Sequence, residues 1–216
     1  MKTMAPAHPQ TANRPLVLLT GFDAFGGSPV NPSWLAVQAL NGKQIAGHRL
    51  LAKQLPTVFS QSLHQLQVYL LQYRPALVIC VGQASGRSAL SLERVAINLI
   101  DAPIADNAGQ QPSDSPVMAA GPAAYFSSLP LKAILIQMNN EGLAAELSLS
   151  AGSYVCNQVF YGLMHALATE KSLIGSRGGF IHVPYLPEQG EPNMPLKDMV
   201  RGLQIVIRCA LTELAK

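Results

Sequence analysis

The chain has 216 residues, of which 49% are hydrophobic and 12% charged, with a formal net charge of +3 at pH 7. Such a composition fills a large core and leaves little charge for the surface, so a homo-oligomer is expected. The small, scattered positive charge and the lack of any basic run interleaved with aromatics argue against a nucleic-acid partner. The lack of any apolar stretch near 18 residues or so argues against a membrane.

Three cysteines in a chain of this length do not make a disulfide framework and fit a reducing cytosol, so the protein is expected in the cytoplasm. Residues 1–15 lack the apolar core of a signal peptide and read as a flexible N-terminal extension; residues 16–216 read as one α/β domain.

Leu16–Leu19 is a short, continuous apolar run, as in a strand buried on both faces. It enters the glycine-rich stretch Gly21-Phe22-Asp23-Ala24-Phe25-Gly26-Gly27-Ser28. The glycine spacing imitates a phosphate loop, but Gly27 stands where lysine is needed and Asp23 would set a negative charge in the cradle. Phe22 and Phe25 are unusual in a loop; they either fold back on the core or wall an apolar pocket. Asn31 is a suitable cap and Pro32 a suitable first residue for the helix carrying Trp34, Leu35, Val37 and Leu40, which stops near Asn41-Gly42.

Leu50–Leu55 suggests a strand and Thr57–Tyr73 a helix with Leu63, Leu66, Leu70 and Tyr73 on one face. Ala76–Val81 is a second buried strand in which Cys80 is inert core. It runs into Gly82-Gln83-Ala84-Ser85-Gly86-Arg87, a loop at the carboxyl end of a strand, where open parallel sheets bind ligands. Leu90–Leu99 alternates as a half-buried strand with Glu93, Val95, Ile97 and Leu99 on its apolar face. An acid on that face needs a partner. Either a structural ion pair with Arg87 or Arg94, or an orienting bond to a histidine, would supply one.

Asp101–Pro130 is a long irregular excursion, Leu131–Asn140 a helix and Leu143–Leu149 a strand. Val155, Val159, Leu163 and Leu167 recur at steps of four on the next helix, which places Cys156 in its first turn. Unpaired N–H groups and the helix dipole there stabilise a thiolate or a developing oxyanion. Equally, free cysteine is often just a small buried hydrophobe. Gly178–Pro184 is a short strand, and Leu196–Leu214 a closing amphipathic helix carrying Cys209 as a packing residue.

A histidine serving Cys156 is not His165, which lies nine residues along the same helix, about 13.5 Å of rise and roughly 180° of rotation away. His8 lies in the leader, and His48 and His64 fall where polar surface is expected. His182 remains, at the carboxyl end of its strand. Cys156, His182 and Glu93 fit a nucleophile, base and orienter that meet in space rather than in sequence. The cysteines and histidines show no metal-ligand spacing, and neither metal nor cofactor is expected.

Four stretches together resemble the pyroglutamyl peptidase type I (pyrrolidone carboxyl peptidase) family of cysteine peptidases. They are Thr20–Gly27 with Asn31-Pro32-Ser33; Gly82–Arg87 with Leu92–Ala96; Ala151–Asn157; and Phe180–Pro187. Gly121–Phe126 with Leu129-Pro130 adds a fifth. The resemblance implies a three-layer α/β/α sandwich with a mostly parallel twisted central sheet, assembled as a tetramer. It also implies removal of an N-terminal 5-oxoproline from peptides through a thioester acyl-enzyme, without a cofactor. Carried over by position, the nucleophile is Cys156, the base His182 and the acid Glu93. Substrate binding falls to the aromatics Phe22 and Phe25 and the polar Gln83, with Asn31 and Val155 beside them. The family's usual arginine is replaced by Pro103, and a usual proline by Ala24. The first departure leaves open a weakened member that only binds pyroglutamyl-capped peptides.

Overall fold

The computed structural model describes residues 15–214. The elements follow in chain order as β1 (Leu16–Phe22), α1 (Pro32–Gln38), β2 (Gln44–Ile45), β3 (His48–Leu55), α2 (Phe59–Tyr73) and β4 (Leu77–Gln83). Next come β5 (Leu90–Glu93), β6 (Val95–Ile97), β7 (Ala124–Phe126), α3 (Leu131–Asn140) and β8 (Ala145–Ser148). The chain closes with α4 (Val155–Thr169), β9 (Arg177–Val183) and α5 (Leu196–Leu214). The Asn31 cap is present: its side chain accepts from Ser33 N, with Pro32 opening α1.

Seven strands form one mixed sheet in the order β2-β3-β1-β4-β9-β5-β8, and β6 and β7 form a separate ribbon. Strands β3, β1, β4 and β9 are parallel neighbours. Strand β5 runs against β9 and is followed in space by β8, parallel to it. The reversal at β5 has a local cause: only residues 84–89 separate it from β4, with no crossover helix to return the chain to the starting edge.

Alternation along the strands divides the interior into two cores. Val17, Leu19, Ile79, Val81, Ile181 and Val183 face α1, α3 and α5. Leu18, Val78, Cys80 and Phe180 face α2 and α4. The expected α/β/α layering and mostly parallel sheet are thus observed.

The expected strand across Leu90–Leu99 is not continuous. The chain leaves the sheet at Arg94, so Leu90–Glu93 is buried on both faces while β6 pairs with β7. Ala96 is the buried residue of β6, and Val95 and Ile97 are only partly covered. Alternation continues through the break, which is why periodicity concealed it.

Helix α4 also departs from a single buried face. Val155, Val159 and Leu163 are buried as expected, but so are Asn157, Phe160, Tyr161 and Met164, because the excursion between β5 and α3 covers the outer side. The expected flexible extension, residues 1–15, falls outside the described residues except for Pro15, whose carbonyl accepts from Arg49 N at 3.0 Å. Among the described residues no helix is long and apolar enough to cross a membrane.

Strand β1 lies close on α1 at Gly21. A Cβ there would stand 2.6 Å from Ser33 O and 2.7 Å from Trp34 Cα, backbone atoms that cannot swing aside. Gly21→Ala is expected to lower stability by about 1–3 kcal/mol, read as a lower midpoint of thermal or urea unfolding.

Candidate active site

Because β1, β4 and β9 are parallel, their carboxyl ends share one edge of the sheet, bearing Phe22, Gly82, Gln83 and His182. Gly82 pairs with His182 across β4 and β9. Strand β5 brings Ser91 opposite His182 and Glu93 opposite Phe180. Paired residues share a face, so Glu93 and His182 project together toward α4. Glu93 Oε1 meets His182 Nδ1 at 2.7 Å, and both side chains are almost wholly buried. Arg87 Nη1 donates to the same oxygen at 2.7 Å. Both partners left open for Glu93 by the sequence are therefore present at once; Arg94 is turned instead toward a surface cavity with Phe126 and Lys132.

Cys156 stands in the first turn of α4, as its position predicts. A Cβ on Gly82 would lie 2.8 Å from Cys156 Sγ and 2.8 Å from Phe180 Cζ. The missing side chain on β4 is thus the slot in which the sulfur rests, next to the strand that carries His182. No side chain caps the amino end of α4. Its first intrahelical backbone bond runs from Gln158 N to Tyr154 O. Among the described residues the N–H groups of Val155, Cys156 and Asn157 remain available to an incoming oxygen.

Burial pushes the Cys156 thiol up to about 12, and the Glu93 carboxylate adds to that while Arg87 opposes it. That direction runs against the expected stabilisation of a thiolate by the helix end. For Glu93, burial pulls upward, but the hydrogen bond and charge of His182, with Ser148 and Arg87, hold the carboxyl below its ordinary range. The site at rest is a thiol beside an ionised carboxylate.

At the carboxyl edge of the sheet that Gln83 shares, a cleft of about 630 Å³ is lined by Phe25, Gly26–Val30, Gln83, Ile104, Tyr185 and Gln189, among others. Gln189 crosses it, donating to Ser28 Oγ at 3.0 Å. Phe25 packs against Tyr154, two residues before Cys156, with ring centroids 5.6 Å apart. Phe22 lies deeper, 2% exposed and packed in the core facing α2 and α4. Of the two phenylalanines, one therefore walls the cleft and the other joins the core. Asn31 is engaged within the fold: besides capping α1 it donates to Asp23 O at 2.8 Å. The Val155 side chain is fully buried, so only its main chain is open to the site.

Four residues that frame this region are given no role in the site by the sequence reading. Asp23 Oδ1 accepts from Thr57 N and Thr57 Oγ1, both at 2.7 Å. Asp106 accepts from Phe59 N at 2.9 Å, capping α2 from a distant loop. Asn107 Nδ2 donates to Ala24 O at 2.9 Å. Asn157 Nδ2 donates to Ile97 O and Leu99 O, both at 2.9 Å, tying β6 to the cysteine helix. Such partners are far apart in sequence, and only the Asx residues themselves hinted at local turns.

The remaining histidines and cysteines are accounted for elsewhere. His165 Nδ1 bonds Tyr125 OH at 2.9 Å, His48 Nδ1 bonds Ala46 O at 2.8 Å, and His64 is exposed. Cys80 is fully buried, and that burial lifts its thiol to about 12, in keeping with inert core. Among the described residues no three His, Cys, Asp or Glu side chains are grouped as metal ligands would be.

Known proteins resemble this chain in sequence and in fold. The family model described as pyroglutamyl peptidase matches residues 16–213. Pyrrolidone-carboxylate peptidase 1 of Ralstonia nicotianae is 53% identical over 202 residues, covering 91% of this chain and 93% of its own. The pyrrolidone-carboxylate peptidase of Cupriavidus pinatubonensis is 54% identical over 200 residues, covering 90% and 92%. The crystal structure of pyroglutamyl peptidase I from Bacillus amyloliquefaciens superposes with a TM-score of 0.89 at 44% identity, covering 93% of this chain and 98% of its own. A variant of pyrrolidone carboxyl peptidase from Pyrococcus furiosus gives 0.88 at 39% identity, covering 92% and 99%.

The slot at Gly82 yields a direct test. Gly82→Ala would drive Cys156 Sγ from its seat at a stability cost of about 1–3 kcal/mol. Turnover that depends on Cys156 is expected to fall roughly 100-fold, far more than that loss of stability would remove. Steady-state kinetics beside a thermal melt separates the two effects.

Proposed function

The chain belongs to the pyroglutamyl peptidase family, and from that premise we propose that it is a cysteine peptidase that hydrolyses the amide bond following an N-terminal 5-oxoproline. The observation that carries this reading is the 2.7 Å bond between Glu93 Oε1 and His182 Nδ1, on the sheet face where Cys156 Sγ rests against Gly82. With Nδ1 held by the carboxylate, Nε2 is free to handle protons at the sulfur.

Burial and the Glu93 carboxylate raise the thiol pKa, which supports His182 acting as general base during attack rather than storing a thiolate beforehand. As Sγ bonds to the substrate carbonyl carbon, its proton passes to Nε2 and the carbonyl oxygen becomes an oxyanion. The open N–H groups at the start of α4 receive that oxyanion, each such donor contributing about 3 kcal/mol. The imidazolium, steadied by Glu93, then protonates the departing amine as the C–N bond breaks, leaving a thioester. Water activated by the same imidazole attacks the thioester and releases 5-oxoproline.

A lactam ring is neutral and flat, and two aromatic walls with a few hydrogen bonds suffice to hold it. Phe25 supplies a wall and Gln83 a polar edge, both lining the cleft. Phe22 backs the glycine-rich loop from the core, Val155 offers its main chain, and Asn31 supports the loop through Asp23. No step runs through position 103, where Pro103 is exposed. Residues 16–216 act as one catalytic domain. Three free thiols support a reducing, cytosolic setting, and exposed Phe126, Ile136, Leu149 and Ile174 support a homo-oligomer, by resemblance a tetramer.

Pyroglutamyl, prolyl and glutaminyl amides, assayed side by side, test the reading. The protein is expected to turn over the first alone; a protein that binds it without turnover would instead be the weakened family member suggested by Pro103. Cys156→Ala should abolish turnover without lowering the melting temperature, and Glu93→Gln should lose less than His182→Ala. Residual turnover in Cys156→Ala would reject the mechanism.

The protonated resting thiol has its own readout. Alkylation of Cys156 by iodoacetamide, followed by mass spectrometry, is expected to rise about tenfold per pH unit from pH ~6 to ~9 without a plateau. A plateau beginning below pH ~7 would mean that the thiolate is already formed.

A further inference from the structure

Arg87, on the connection between β4 and β5, has no role in the reaction as described, yet it bonds to two parts of the site. Its Nη1 donates to Glu93 Oε1 at 2.7 Å, the oxygen that also meets His182 Nδ1 at 2.7 Å. Its Nη2 donates to Ser150 O at 3.1 Å, in the segment that leads into Cys156. We propose that Arg87 is a positioning residue: one guanidinium fixes both the carboxylate that holds the imidazole and the segment that delivers the sulfur.

The inference rests on the functional reading above and concerns a residue that touches neither substrate nor sulfur. A guanidinium suits the task because it is planar, permanently charged and carries several donors in a rigid fork; a lysine ammonium has the charge but not the span. The second of these bonds reaches a segment 63 residues further along the chain. Arg87 is 26% exposed, so its outer end is solvated and a neutral replacement does not leave a void.

A permanent cation on the shared oxygen also opposes protonation of the imidazole. The groups facing Glu93 and His182 are Arg87 from the connection, Cys156 from α4, Ser148 from β8 and the Phe180 ring, 4.9 Å from that of His182. Ser91 on β5 faces them too, its hydroxyl bonded to Glu146 Oε1 at 2.8 Å. Among these Arg87 is the cation. Without it, Glu93 would favour the imidazolium unopposed, and the base would stay protonated to higher pH.

The test compares Arg87→Met and Arg87→Lys with the unaltered protein on a pyroglutamyl amide. For Arg87→Met the acid limb of kcat/KM is expected to move up by about one pH unit. Its kcat should fall roughly 10- to 100-fold while KM changes less than about twofold. Arg87→Lys should keep the acid limb in place and still lose kcat, because it cannot span Glu93 and Ser150. The midpoint of the His182 titration, followed by NMR, should rise in the Met variant and hold in the Lys variant. An unchanged pH profile and kcat in Arg87→Met, or losses confined to the melting temperature, would overturn the inference. If Arg87→Met does not fold, full kcat in Arg87→Lys overturns it equally. An unaltered protein inactive on the amide would count against the functional reading instead, and the NMR midpoints would still decide the role of Arg87.

Discussion

A carboxylate with no exposure to solvent is the costliest group in the site, and the surrounding structure is arranged to keep it ionised. Moving such a group out of water costs several kcal/mol even after relaxation. Glu93 offsets that cost with two donors on one oxygen, His182 and Arg87. The arrangement depends on β5 running antiparallel to β9, because that register sets Glu93 two residue pairs along from His182 and on the same face. The reversal at the short 84–89 connection is what sets this register.

The sulfur is held by different means. Its seat is made by an absent side chain at Gly82 and by the Phe180 ring, contacts that set position without stabilising charge. Shape fixes where Cys156 lies; on the proposed reading, the buried acid and imidazole determine when it gives up its proton. Around them, Asp23, Asp106 and Asn107 join the glycine loop, the start of α2 and the excursion that follows β6. Asp23, which spoils the phosphate-loop resemblance, serves here as an acceptor for Thr57. Its charge belongs to the scaffold rather than to a ligand.

Much of this was legible in the sequence. The continuous apolar runs became β1 and β4, the Asn31-Pro32 signal opened α1, and the limits of α3 and α5 fell at Leu131–Asn140 and Leu196–Leu214. These rest on local chemistry: burial period, caps and turn residues. The break at Arg94 was hidden because alternation cannot tell one long strand from two short ones in different sheets. Phe22 and Phe25 look alike in the sequence, yet one lies in a strand and the other in a loop. The bonds of Asp106 and Asn157 reach across 47 and 60 residues and leave no periodic trace. Cys156 was placed correctly in its helix, but what raises its pKa, desolvation and the Glu93 carboxylate, comes from the tertiary fold, which position alone does not reveal.

Helix α4 is covered by the sheet on one side and by the excursion on the other, with Tyr161 OH bonded to Pro122 O at 2.7 Å and Asn157 bonded to β6. It has no free flank along which to tilt or slide. The rim of the cleft is built from other pieces of chain, the 26–30 turn and the 185–189 segment, which meet across the Gln189 amide. On the proposed reading, sequence change at that rim would alter which peptides enter while leaving the helix that carries Cys156 undisturbed.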